Sequence, residues 1–194
     1  MLNPNPHKDP LMKLGPKGLS QVLVDSYQRY SRTAIEESSL IRFDDACEQA
    51  LIRAVGRDPF IALTKSLEGK PLQYAIDEKL FGEDGRQNQP YVREVVSALL
   101  DCMTSIAAKL SKDGIEVEIS QGKITAKDST GANPCVVALD SLLRNSAYNI
   151  ARLNDSEAVE FKPKWDEFKL KLGQERTAKF EALLRPFEQE FDRG

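Results

Sequence analysis

The chain is 194 residues long, 41% apolar and 29% charged, with a net charge of −3, a composition that suits a soluble globular protein with one core or a core plus an appendage. The small negative charge argues against a dominant nucleic-acid field, no apolar run approaches the ~20 residues that span a bilayer, and the N-terminus lacks the apolar centre of a signal peptide. A cytoplasmic protein with no membrane segment is expected.

Residues 1–18 hold four of the ten prolines, Pro4, Pro6, Pro10 and Pro16, with Lys8, Lys13 and Lys17 and no period, which predicts a mobile tail. A single globular domain is expected over 19–194. It opens with a helical part, 19–82. Leu19, Val22, Leu23, Tyr27 and Tyr30 share one helical side, and a break is expected at Ser31-Arg32-Thr33. A second helix carries Leu40, Phe43, Cys47, Ala50, Leu51 and Ala54 and stops at Gly56. Asp58-Pro59 begins a third, stopped at Gly69, and Lys70-Pro71 a fourth, stopped at Gly82. The stretch 83–89 is polar and reads as an exposed loop.

The pattern is strongest over 90–153, which reads as helix, hairpin, helix. Pro90 suits a first helical position, where its missing N–H had no partner in any case. Val92, Val96, Leu99, Met103, Ile106 and Leu110 then recur at spacings of four and three, widened by Val95 and Cys102, up to Gly114. From Ile115 the period drops to two. Gln121-Gly122 supplies a two-residue turn, so that Val117 faces Ala126, Ile119 faces Ile124 and Glu116 faces Lys127. The apolar side of this ribbon is expected to lie on the helix before it, with the helix after it sharing the cover. After the loop 128–132, Asn133 reads as a cap and Pro134 as the first residue of a helix with Val136, Leu139, Leu143, Ser146, Ile150 and Leu153 inward. Asn154 reads as a left-handed stop.

In the C-terminal aromatic segment, 157–194, Val159 and Phe161 alternate with Glu160 and Lys162, which reads as a short third strand before Pro163. Trp165, Phe168 and Leu172 suit a short helix ending at Gly173, and Phe180, Leu183, Leu184, Phe187 and Phe191 a last one, kinked or ended by Pro186. These aromatics either dock on the core, the favoured reading, or face another protein. The fold class is therefore α+β, predominantly α-helical, with a β-hairpin between two long helices.

The chemistry is sparse. The single histidine, His7, lies in the expected tail, which removes the proton acceptor of a Ser-His-Asp or Cys-His site. Three scattered cysteines cannot supply paired zinc ligands and read as buried thiols. No phosphate-cradling glycine loop occurs. Carboxylates remain: Asp44, Asp45 and Glu48, with Glu36 and Glu37 upstream, could do acid–base or metal work, though acids at a helix start also complement its dipole. Asn154-Asp155-Ser156 matches a glycosylation acceptor by chance. By elimination the chain reads as a cofactor-free, non-catalytic interaction module, an adaptor, chaperone-like or regulatory binding protein, whose partner is another protein; a homo-oligomer is compatible with it. Its contact residues are expected on the outer face of the ribbon, at Glu116, Glu118, Lys123, Thr125 and Lys127, with Ser120 among them, and at an open strand edge. The rivals are an enzyme using the clustered carboxylates in a helix-lined cleft and a weak nucleic-acid binder using the tail with Lys123 and Lys127.

Overall fold

The computed structural model of the protein describes residues 10–81, 89–127 and 133–193. Among the described residues there are nine helices and a single β-ribbon: α1 Pro10–Glu36, α2 Phe43–Val55, α3 Arg57–Ser66, α4 Leu72–Phe81, α5 Gln89–Lys112, β1 Val117–Ser120, β2 Lys123–Ala126, α6 Pro134–Ile150, α7 Asp155–Leu172, α8 Gln174–Lys179 and α9 Glu181–Phe191. The architecture is α+β and predominantly helical. No helix among the described residues is long and apolar enough to cross a membrane.

Helix α5 is the axis. Val92, Val96, Leu99, Met103, Ile106 and Leu110 are fully buried, as their spacing requires, each contributing about 1.5–3 kcal/mol by leaving water. Three long helices pack around it. Ser20 donates to Glu94 (2.8 Å), and farther along both helices Gln28, Arg32 and Ile35 share a groove with Ala98, Cys102 and Ser105, so α1 runs beside α5 in the same direction. Arg93 beside Glu157, Lys164 beside Asp101 and Ser111 bonded to the Lys171 carbonyl show that α7 does likewise. Helix α6 runs the other way, with Ser146 on Met103 and Cys135 near the Lys109 end.

The N-terminal half departs from expectation at two places. Residues 1–9 lie outside the described residues, but the chain is helical from Pro10, so the aperiodic stretch does not extend to residue 18. Gly15 (φ 66°) interrupts this helix and Pro16 restarts it in the position proline prefers; Leu14 then packs on the core. The expected break at Ser31-Arg32-Thr33 is absent. Ser31 and Thr33 turn their hydroxyls back to the carbonyls of Gln28 (3.1 Å) and Tyr30 (2.9 Å), so residue types that usually favour turns are satisfied inside the helix. Helices α2, α3 and α4 fall on the three expected helices, with Leu40 ahead of α2 rather than in it and Gly82 outside the described residues. The loop expected over 83–89 lies outside the described residues except for Gln89, which begins α5.

The ribbon has the expected register, Val117 to Ala126 and Ile119 to Ile124. Gln121 (φ 52°) and Gly122 (φ 77°) both take positive φ, the backbone of a type I′ turn whose twist matches the strands. The helix after it covers it as expected, but α8 stands where α5 was expected: β2 lies on α6, and β1 touches α8. The reason is Arg176 of α8, whose guanidinium donates to the carbonyls of Ile115 (2.6 Å) and Leu110 (3.2 Å) and draws α8 to the start of the ribbon. The loop 128–132 is outside the described residues. Asn133 caps α6 as expected, accepting from the backbone of Cys135 (3.0 Å) and Val136 (3.3 Å).

Residues 157–162 are helix, not a third strand. Asn154 is extended (φ −77°, ψ 172°) rather than left-handed, and forms a capping box with Glu157 that starts α7. The seam of α7 is Ala158, Phe161, Trp165, Phe168 and Leu172, all buried, while Val159 is 51% exposed. Pro163 and Pro186 lie within α7 and α9 on exposed positions, where the carbonyls they leave unbonded face water. The aromatics dock on the core: Trp165 is enclosed by Phe168, Phe187 and Phe191, with ring centroids 5.3, 5.1 and 5.4 Å away.

Candidate functional site

The ribbon's outer face divides lengthwise by charge. Glu116 and Glu118 stand on or just before β1, and Lys123 and Lys127 on or just after β2. Glu116 and Lys127 approach to 3.7 Å with side chains 63% and 53% exposed. Glu118, Ser120 and Lys123 are exposed, and Thr125 is half-buried with its hydroxyl toward the Glu118 carbonyl (3.4 Å). The Lys127 N–H donates to the Glu116 carbonyl (3.0 Å), so even-numbered residues of β1 bond across the ribbon and the backbone of Ile115, Val117 and Ile119 points outward.

That geometry corrects the expectation of an open edge. The Ile115 carbonyl is taken by Arg176, and Val117 is only 1% exposed. On the other side the outward N–H of Ile124 donates to Asp140 Oδ1 of α6 (3.3 Å). Neither edge offers a run of free backbone on which a strand could be added. What the ribbon presents is its charged face and the flank of Ile119, 37% exposed, on a base fixed from below by α6 and α8.

A second constellation was not foreseen. Between α1, α4 and α6, Gln73 donates to the Tyr27 hydroxyl (3.1 Å) and to Asn145. One turn along α4, Asp77 lies near Arg152, which itself stacks over Tyr148 at 4.0 Å. Burial pushes the Asp77 carboxyl up to about 6 against the pull of Arg152. Burial likewise holds Tyr27 well above its ordinary value, with Asp77 adding to the rise, and pushes the Cys47 thiol up to about 12. In the sequence Asp77 is one acid between Ile76 and Glu78. Only the meeting of residues 27, 73 and 145 in space gives it an environment.

No family model, curated protein or solved structure matches this chain.

The other candidates are placed as follows. Asp44 and Asp45 occupy the first turn of α2, where they complement the helix dipole, and Glu36 rims a groove of about 280 Å³ with Arg32 and Asp101. Among the described residues no three His, Cys, Asp or Glu side chains are grouped to hold a metal ion. His7 lies outside the described residues. Cys47, Cys102 and Cys135 are unpaired and buried, Cys135 reaching the Ala34 carbonyl at 3.4 Å. An open groove of about 640 Å³ between α1, α5 and α7 is crossed by the Arg93–Glu160 and Lys164–Asp101 pairs, which clasp α5 to α7.

Proposed function

We propose that the chain is a cytoplasmic, cofactor-free protein-interaction module, and that it meets its partner through the solvent face of the hairpin. The observation that carries this reading is the segregation of charge on that face: acids along β1, lysines along β2, all displayed on a ribbon anchored from beneath. A protein surface with a basic row beside an acidic row would match it in one orientation only, and such complementarity selects partners and speeds encounter more than it adds affinity. The core does not require these side chains. Three buried, unpaired thiols suit a reducing compartment.

The test exchanges the pair, Glu116→Lys with Lys127→Glu, and adds Glu118→Gln, in a protein whose melting curve is first shown to be intact. Binding of a partner captured by the native chain should weaken at least tenfold, and the native complex should weaken steeply with added salt. Unaltered affinity and salt dependence in the exchanged variant would overturn the proposal.

A further inference from the structure

Helix α4 has ten residues, too few to persist without tertiary support. Its apolar side, Leu72, Ala75, Ile76 and Leu80, is buried against α1 and α2, and Gln73 ties it to Tyr27 and Asn145. The next turn brings Asp77 into the same seam. Its Oδ1 is shielded from water and has no hydrogen-bond partner. A charged carboxylate oxygen in that position forfeits hydration with no hydrogen bond to replace it, and the pull of Arg152 offsets only part of the loss, whereas a neutral carboxyl loses far less.

We infer that α4 is a proton-operated latch: it docks against α1 and α2 with Asp77 protonated, and ionisation of Asp77 loosens it. The ionisable groups facing Asp77 are Tyr27 from α1, Cys47 from α2 and Arg152 at the end of α6. Burial keeps Tyr27 and Cys47 neutral well beyond physiological pH. Of these three acids the Asp77 carboxyl alone changes charge near neutral pH. The folded carboxyl lies at about 6 against an ordinary value of 3.8. A raised carboxylate favours the protonated, docked state, so the stabilisation is fully present below the ordinary value and is lost as pH rises through about 6. The helix that loosens carries Tyr74, 66% exposed, on its outer side, so release would move an exposed aromatic ring.

Amide hydrogen exchange across α4, corrected for the intrinsic pH dependence of exchange, tests the latch. Protection of the 76–80 amides should fall at least tenfold between pH 5 and pH 7.5, while the amides of α5 stay unchanged. In Asp77→Asn, neutral at every pH, α4 protection should be level across that range. Carbon-13 titration of the native Asp77 carboxyl, which needs no variant, should give a midpoint near 6. Native α4 protection that is level from pH 5 to 7.5, or a carboxyl that titrates in the ordinary range, would overturn the inference.

Discussion

Arg176 sits in a helix of six residues, Gln174–Lys179, that could not hold its shape alone. Its guanidinium bonds to the carbonyls of Leu110, Ile115 and Leu172, the ends of two long helices and the first residue of the hairpin arm. Substituting Arg176→Met keeps the stem and removes every donor, which leaves carbonyls that water reaches poorly. The expected loss is about 1–3 kcal/mol, read as a lower urea midpoint. An unchanged midpoint would mean that water replaces the guanidinium at no cost. Nothing in the sequence marks this residue among the charges of the last 30 positions, because the Leu110 and Ile115 carbonyls it joins are more than 60 residues away. Asp77 was hidden for the same reason: burial of an acid is decided by distant neighbours, not by its own helix. The hairpin residues were legible because their partners lie across a two-residue turn.

At the scale of elements, α5, the ribbon register and α6 could be read directly, since each has a sustained period and its own start signal in Pro90, Gln121-Gly122 or Asn133-Pro134. The error in α7 arose where two short signals coincided. Val159 and Phe161 alternate over too few residues to fix a period, and Pro163 disguised the continuity of Phe161, Trp165, Phe168 and Leu172, which span it at helical spacing. Proline there removes the partner of the Val159 carbonyl, a defect tolerated because both residues face solvent. Pro163→Ala should therefore stabilise the protein, by up to ~3 kcal/mol, seen as a higher melting temperature. A fall would show that α7 depends on a bend at this point.

Across the whole molecule one contiguous apolar cluster runs from Leu19 in α1 to Phe191 in α9, so the last helix closes what the first begins. Trp165 is the only tryptophan and is fully buried against Phe187 and Phe191. Phe191→Ala should cost about 3–5 kcal/mol and shift the indole emission to the red; emission at the native wavelength would mean that the cage closes without Phe191. The direction in which α1 and α5 pack also has a temporal consequence. They lie side by side, yet α2, α3 and α4 are translated between them. At about 5–20 residues per second the ribosome takes on the order of 5–20 s to carry synthesis from Leu19 to Leu110. Throughout that interval the apolar stripe of α1 exists without α5, its long partner. The short helices α2, α3 and α4 are then its escort, and this is when a nascent-chain chaperone would find the protein easiest to hold.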